Sequence, residues 1–280
     1  MLSPRILHFT DSELSWECAF TTRCECDPKP SRRVDSGIQR RDLKDSPGWS
    51  RILREYTGRH LTYAKDRLPA LAGVAAEAQT FRPGVRYLSG LWEDDLPYCL
   101  AWYSMVPGRA KRIHPTTAPS WSWACLLGSI HPGGSYMTSI HSSVPSLVQT
   151  IVVDYPAMES NLYGSLPAGQ RATLTATASL YDCRIVFWGQ SHESTVVEVQ
   201  TRRSDQEPLI TSGYFNPDTE EDADTVRDGE LAVLMTLFGV QYIVLRRLGE
   251  CDCTFQRIGI YEGTELPPLE PGRKKRITII

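Results

Sequence analysis

The order of hydrophobic and polar positions predicts helices in the first part of the chain and strands in the second. Residues 46–56, SPGWSRILREY, place hydrophobic side chains at i, i+3, i+4 and i+7, the spacing of one helix face. Ser46 suits the N-cap, Pro47 suits the first turn and Gly58 suits the end of the helix. The segment is therefore predicted to be an amphipathic helix.

Two further helical pieces are predicted before residue 110. The segment 62–81 offers a buried helix face, formed by Leu68, Leu71, Ala72 and Ala75. Pro69 lies inside this segment, so we expect a kink or a new helix start there. Residues 90–103 form the third predicted helix, with Asp94 or Asp95 at its start because carboxylates are favoured at a helix N-terminus.

After Gly108 the hydrophobic period changes to two, which is typical of strands. The strand-like segments are 172–180, 194–202, 229–237, 240–248, 254–262 and 277–280. Between two of them, residues 215–229 are predicted to form an acidic loop. The pattern favours an α+β fold, with an N-terminal helical block packed on a mostly antiparallel β-sheet or sandwich.

The same pattern predicts four consecutive regions. Residues 1–26 are expected to form a hairpin-like piece and residues 27–45, rich in proline, serine and charges, a linker. The helical block is assigned to residues 46–110, and a β-rich region that packs with it as one unit is assigned to 111–280. No signal peptide is expected, because the first residues lack a continuous hydrophobic stretch.

Composition narrows the classes of partner. Of the 280 residues, 41% are hydrophobic and 22% are charged, which indicates a folded globular chain. The formal net charge of −3 gives no reason to expect nucleic acid as a partner. The longest hydrophobic run, 231–245, is shorter than the ~20 residues of a membrane-spanning helix. It contains Gly239 and is predicted to be two buried strands joined by a turn.

The eight cysteines predict no metal site. Two Cys-x-Cys pairs are present, 24/26 and 251/253, but a zinc site usually needs Cys-x2-Cys spacing or a matching histidine cluster. His131 and His141, ten residues apart, do not supply one. Free thiols in a reducing compartment, the cytoplasm, are therefore expected.

The stretch APSWSWACLLGSI, residues 118–130, contains Trp121 and Trp123. An extended backbone would point both rings to one face, either into the core or outwards as a stacking platform for a sugar or a base. A platform is usually interleaved with polar and basic residues, whereas the neighbours here are Pro119, Cys125 and two leucines. The pattern favours core.

The candidate catalytic residues are also better explained by structural roles, such as capping a helix or forming an ion pair. Glu93, Asp94 and Asp95 could act as paired carboxylates in acid–base chemistry, yet their position before a predicted helix favours capping. Asp66 and Arg67 could form an ion pair at the helical junction. The sequence has no Gly-x-Ser-x-Gly nucleophile turn, no P-loop and no Gly-x-Gly-x-x-Gly motif after a strand. Neither a catalytic residue nor a cofactor is predicted.

Several blocks, taken in order, resemble the region downstream of the heterokaryon incompatibility (HET) domain in fungal HET proteins. The blocks are LTYAKDRLPALAGVAAEAQ, YLSGLWEDDLPYCLAWY, APSWSWACLLGSI, FQRIGIYEG and RITII. RILHF and ELSWEC near the N-terminus resemble the tail of the HET domain itself, which in relatives follows a W-x-x-QER element. The resemblance rests mainly on Asp66, Arg67, Leu68, Gly90, Leu91, Trp92, Pro119, Ser120, Trp121, Ser122, Trp123, Arg257 and Gly259.

The resemblance implies a link to the cell death that follows fusion of incompatible fungal cells. In the family the toxic part is an N-terminal HET domain related to TIR domains, and most of it would lie before Met1. The implied function is a non-catalytic accessory or sensing region whose partner is another protein or the missing HET core. The residues leave two alternatives: a ligand- or carbohydrate-binding β-sandwich, and a hydrolase with an unrecognised site.

Overall fold

The first elements are short strands near the N-terminus. The computed structural model describes residues 5–9, 14–18, 22–25, 43–114, 116–133, 145–156, 162–188, 196–201, 209–227, 229–249, 253–263 and 274–280. Strands β1 (Arg5–Phe9), β2 (Leu14–Cys18) and β3 (Thr22–Cys24) form a three-stranded antiparallel sheet. The predicted hairpin therefore has a third strand, and most of the predicted linker lies outside the described residues.

Helix α1 (Ser46–Thr57) matches the predicted amphipathic helix. Its cap is Asp45 rather than Ser46, because the Asp45 carboxylate accepts the backbone N–H of Gly48 at 2.9 Å. Gly58 ends the helix, as predicted. The face that the pattern selected is buried, with Trp49, Ile52 and Leu53 in the core.

The rest of residues 46–110 is less helical than the sequence predicts. A 3-10 turn at Pro69–Leu71 leads into helix α2 (Ala72–Gln79), so Pro69 does start a new helix. The predicted third helix is wrong, because two separate 3-10 turns occupy it, Glu93–Asp95 and Tyr98–Ala101. Pro97 lies between them and lacks the backbone N–H that a continuous helix would need.

Three short antiparallel ladders follow, one within this region and two that reach the segment after residue 125. They pair β4 (Tyr87–Leu88) with β5 (Leu91–Trp92), β6 (Tyr103–Ser104) with β9 (Ile130–His131), and β7 (Lys111–Arg112) with β8 (Leu126–Leu127). The chain around residues 118–130 is thereby held against residues 103–112.

The β-rich part is one nine-stranded sheet. Its strands are β10 (Thr150–Asp154), β11 (Thr173–Ala178), β12 (Leu180–Trp188), β13 (Val196–Thr201), β14 (Leu209–Pro217), β15 (Ala232–Phe238), β16 (Gln241–Arg247), β17 (Thr254–Gly263) and β18 (Lys275–Ile279). All pairings are antiparallel except that of β17 with β18. The structure confirms a mixed α and β fold with mostly antiparallel strands.

Six of these strands close into a barrel, which the sequence did not predict. The pairings run from β12 through β13, β14, β17, β16 and β15 back to β12. Strand β17 allows the closure because its C-terminal half pairs with β14 while its first residues pair with β18. The pair β10–β11 continues the sheet beyond β18.

One side of the barrel packs against the N-terminal region. One cluster of buried side chains belongs to the barrel and includes Tyr181, Cys183, Ile185, Phe215, Leu234, Tyr242, Val244, Ile258 and Tyr261. A second cluster joins Val233, Met235, Leu237, Ile243, Leu245 and Phe255 to the tryptophans and to α1. Every residue of β15 is buried, because one face belongs to each cluster.

The predicted acidic loop at 215–229 is wrong in its central part, which forms helix α3 (Glu220–Arg227). Thr219 precedes the helix and accepts the backbone N–H of Asp222 at 3.2 Å, while its hydroxyl donates to the Asp222 carboxylate at 2.7 Å. The first of these bonds is one half of a capping box, whereas the Asp222 carboxylate contacts the hydroxyl of Thr219 and not its backbone N–H. The acidic first turn is also favoured by the helix dipole.

No helix that the structure describes is long and apolar enough to cross a membrane.

Candidate functional site

The two tryptophans that the sequence singled out lie in the core. Trp121 is 0% and Trp123 is 1% exposed, which agrees with the core interpretation. Their backbone is a turn followed by the 3-10 helix Trp123–Cys125, so the predicted extended strand is wrong. Ser122 stabilises the turn, because its hydroxyl accepts the N–H of Ala124 at 3.0 Å and donates to the carbonyl of Ser89 at 2.5 Å.

Gly90 is the point at which two tryptophans meet. The indole N–H groups of Trp49 and Trp123 both donate to its carbonyl oxygen, each at 3.1 Å. Gly90 has a φ of +95°, and a Cβ atom there would lie 2.5 Å from the ring of Trp123. A glycine is therefore needed both for the backbone conformation and for the space that the indole fills.

Arg67 covers the other side of Trp123. Its guanidinium carbon lies 5.2 Å from the centre of a Trp123 ring, and its Nη2 donates to the carbonyl of Gly128 at 2.9 Å. Burial lowers the pKa of Arg67 to about 10. The predicted pair with Asp66 is not among the ion pairs of the described residues, so Arg67 is stabilised by the ring and a carbonyl instead. Three other residues selected by the sequence are buried nearby in the same cluster, Leu68, Leu91 and Trp92.

Arg257 lies at the centre of a second, buried network. It is 0% exposed, and its Nε donates to Asp218 at 3.1 Å. Its Nη1 donates to the carbonyl of Leu100 at 2.6 Å, and its Nη2 donates to the carbonyl of Trp102. The guanidinium carbon stacks 3.3 Å from the centre of the Trp102 ring. Burial lowers the pKa of Arg257, whereas Asp218 opposes that shift.

Arg112 extends this network to helix α3. Its Nη2 donates to the Asp222 carboxylate at 2.8 Å and to the carbonyl of Arg257 at 2.9 Å. Burial alone would lower the pKa of Arg112, but Cys125, Asp222 and Asp218 together raise it. Burial raises the pKa of Asp222, and Arg112 opposes that shift. The network thus holds two guanidinium groups and two carboxylates in the interior.

Ser120 connects residues 118–130 to the barrel through hydrogen bonds. Its hydroxyl accepts the backbone N–H of Arg257 at 3.2 Å and donates to the main-chain oxygen of Ile280, which also accepts the N–H of Ser120 at 3.1 Å. Pro119 beside it is buried. A Cβ atom at Gly259 would lie 2.6 Å from the carbonyl oxygen of Asn216, so this position lets β14 and β17 approach closely.

Most of the thirteen selected residues lie around Trp123 or around Arg257, whereas the half-buried Asp66 belongs to neither group. Arg67, Gly90 and Trp123 are in direct contact, and Ser120 contacts Arg257. The partners in the second network were not predicted, and they are Leu100, Trp102, Arg112, Asp218 and Asp222. A local signal existed for Asp222, because Thr-x-x-Asp at 219–222 is a capping-box pattern.

The three carboxylates at Glu93–Asp95 are paired with arginines. Arg82 Nη1 lies 2.7 Å from Asp94 and 3.2 Å from Asp95, and Ser46 also donates to Asp95. Burial raises the pKa of Asp95. Arg86 donates to Glu93 at 2.9 Å through Nε, and this contact lowers the pKa of Glu93. The predicted helix cap is thus replaced by ion pairs that hold a 3-10 turn.

A cleft opens beside the Arg257 network. Its volume is about 520 Å³, within the usual range for small-molecule sites. Its polar lining includes Arg112, His114, Thr116, Ser120, Gln170, Arg171 and Gln256. Its apolar lining includes Ile113, Ala118, Pro119, Leu166, Leu248 and Ile280. The fold exposes no part of Trp121 or Trp123 here, so these rings cannot serve as a sugar platform.

The cysteines differ from expectation in two cases. Cys99, Cys125 and Cys183 are free, as predicted, but Cys24 and Cys253 are disulfide-bonded. The prediction rested on the compartment, whereas bonding depends on the distance between sulfur atoms that the fold sets. Within the described ranges, no group of three or more His, Cys, Asp or Glu residues could hold a metal ion. His131 stacks on Tyr103 at 4.6 Å, and His141 lies outside the described residues.

Comparison of the chain with protein-family models, with curated proteins and with solved structures found no match.

Proposed function

We propose that this chain is a non-catalytic accessory or sensing region of a fungal HET-type protein that acts in heterokaryon incompatibility and cell death. The proposal starts from the ordered sequence blocks that resemble the region downstream of the HET domain. Its partner is another protein or the HET core that the resemblance places upstream. Neither nucleic acid nor a membrane is part of the proposal.

The observation that carries the proposal is the use of the selected residues in packing. Trp123 and Gly90 hold residues of α1 and of the 118–130 segment together. Arg257 on β17 joins the barrel to Leu100 and Trp102. Side chains that are fully buried in this way connect elements and cannot reach a substrate. A region built like this suits a scaffold or a sensor better than an enzyme.

The test compares two proteins in a fungal host. One is this chain alone, and the other is the chain extended upstream through a HET core with its W-x-x-QER element. We expect growth with the short chain and death with the extended protein. Death with the short chain, or loss of NAD in a purified sample of it, would contradict the proposal.

The alternatives differ in what supports them. The carbohydrate-binding alternative depended on exposed tryptophans, and both rings are buried. Binding of some other ligand is favoured by the 520 Å³ cleft. Screening against generic esters and glycosides tests the hydrolase alternative, which would be supported by turnover that depends on a cleft residue such as His114.

A cytoplasmic location is part of the proposal. Free Cys99, Cys125 and Cys183 suit a reducing compartment. The disulfide-bonded Cys24 and Cys253 weigh against it, because disulfides rarely persist there. Fluorescence microscopy of the tagged chain in a fungal host tests the location directly.

A further inference from the structure

We propose that two copies of this chain associate through the three-stranded sheet β1–β2–β3, whose hydrophobic face is open to solvent. The face is covered, in this proposal, by the same face of a second copy across a two-fold axis. The inference stands on the register and the exposure of the three strands and does not rest on the family resemblance. It goes beyond the proposed accessory role, because it assigns an interaction surface and its partner.

The strand register gathers hydrophobic side chains on one face of this sheet. Leu7 lies opposite Trp16, and Phe9 lies opposite Leu14. Residues directly opposite each other in an antiparallel pair project from the same face, and so do residues two apart along one strand. The four side chains therefore form one continuous hydrophobic surface.

The rest of the chain leaves this surface uncovered. Phe9 is 80% and Leu7 is 55% exposed, and Phe9 is the most exposed large hydrophobic side chain among the described residues. Leu14 and Trp16 are half-buried. A contiguous exposed hydrophobic patch marks an interaction site on a soluble protein, and a small sheet gains stability when its hydrophobic face is covered. The face therefore has the character of a docking surface.

Charged residues at the β3 side of the face identify what covers it. Arg23 lies opposite Trp16. Glu25 lies opposite Leu14, because its backbone N–H donates to the Leu14 carbonyl at 3.0 Å. Both charged residues are exposed. The face consequently has two parallel rows, which are Leu7–Trp16–Arg23 and Phe9–Leu14–Glu25.

The two rows complement each other in a symmetric dimer. A two-fold axis that crosses the strands midway between the rows places each row over the other row of the second copy. Arg23 then meets Glu25 of the second copy, and hydrophobic side chains meet hydrophobic side chains. Packed sheets lie about 10 Å apart, a gap that long arginine and glutamate side chains can bridge. Because such a contact is isologous, the ion pair forms twice, so a second copy satisfies both the hydrophobic and the charged parts of the face.

The size of the face predicts weak association. Three strands about 4.8 Å apart, with five residues that each rise about 3.4 Å, span roughly 14 by 17 Å. This footprint is smaller than the ~800 Å² that each partner buries in a standard interface. We therefore expect a dissociation constant in the micromolar range and a dimer that forms as the protein is concentrated.

Sedimentation velocity of the full chain, from about 1 to 100 µM, measures this equilibrium. We expect the sedimentation coefficient to rise with concentration from that of a monomer towards that of a dimer. Phe9→Gln removes the most exposed ring and should weaken dimerisation at least about tenfold. The matched control is Tyr63→Gln, which removes an exposed ring outside the sheet and should have no effect.

Exchange of the two charges distinguishes a second copy from any other occupant. Arg23→Glu or Glu25→Arg alone brings like charges together at both symmetric contacts and should weaken dimerisation about tenfold. The double variant Arg23→Glu/Glu25→Arg restores opposite charges and should recover the dissociation constant of the parent. Docking of a different protein on this face would not produce that recovery.

Three outcomes would overturn the inference. They are a chain that stays monomeric over the whole concentration range, dimerisation that Phe9→Gln leaves unchanged, and single charge variants whose effect the double variant does not reverse. The substituted side chains are exposed, so each variant should keep its fold, which thermal unfolding followed by circular dichroism checks. Growth and death in a fungal host report separately on the family proposal.

Discussion

At the scale of single residues, the tryptophan pair shows which properties a local sequence pattern can predict. The composition around Trp121 and Trp123 identified them as core residues, and both are buried. The pattern did not identify what they pack against, because the Gly90 carbonyl and the Arg67 guanidinium come from segments far away in sequence. Burial could be read from neighbours along the chain, whereas contacts could not.

Replacing Trp123 with alanine should destabilise the protein by roughly 3–5 kcal/mol, the range for removal of a buried aromatic ring. The change empties the space between Arg67 and Gly90 and leaves the Gly90 carbonyl with one indole donor fewer. Urea denaturation followed by circular dichroism measures the loss. The control is Tyr63→Ala, at an exposed ring, and a Trp123→Ala curve that overlays the parent would contradict the expectation.

Substitutions at two glycines distinguish the cost of backbone strain from the cost of steric overlap. Gly84 and Gly90 both have positive φ, but a Cβ atom at Gly84 meets nothing within 4 Å, whereas at Gly90 it overlaps the Trp123 ring. Gly84→Ala should therefore lower the free energy of unfolding by about 1–2 kcal/mol, the strain of a left-handed residue. Gly90→Ala should lower the free energy of unfolding by clearly more than Gly84→Ala does. Equal losses in the free energy of unfolding would show that the contact with Trp123 is unimportant.

At the scale of elements, predictions succeeded where the signal was local and failed where distant partners decide. The alternating segments became β11, β13, β15, β16, β17 and β18, because period-two hydrophobicity fixes which face is buried. The pattern gave no indication of barrel closure, because the order of strands depends on pairings between distant segments. The third predicted helix failed at Pro97, a local breaker that the prediction passed over.

Helix α3 offers a test of the Thr219 cap, which was not predicted. Thr219→Ala removes the side chain that accepts the backbone N–H of Asp222 and donates to its carboxylate. We expect a loss of about 0.5–2 kcal/mol in the free energy of unfolding, the range for a lost N-cap. Thr62→Ala, at an exposed threonine, serves as control. If the two variants melt at the same temperature, the cap contributes nothing measurable.

At the scale of the whole molecule, the N-terminal region and the barrel are expected to unfold together. The outer faces of β15 and β16 pack on the tryptophan cluster, so removing residues before 111 would expose Val233, Met235, Leu237, Ile243 and Leu245. A fragment of residues 111–280 should aggregate or lose a cooperative transition, whereas 43–280 should keep one. A soluble 111–280 fragment with dispersed NMR signals would contradict this expectation.

Burial of β15 on both faces has a consequence for how the protein tolerates change. Along a strand such as β11, buried and half-buried positions alternate, so saturation mutagenesis should give a sawtooth of tolerated and rejected substitutions. Along Ala232–Phe238 every side chain is buried, and all except the polar Thr236 belong to one of the two clusters, so the sawtooth should vanish and polar substitutions should be rejected at each position other than Thr236. Random drift of the sequence should then be slower along β15 than along β11, because neither face of β15 offers an exposed position at which a change is free.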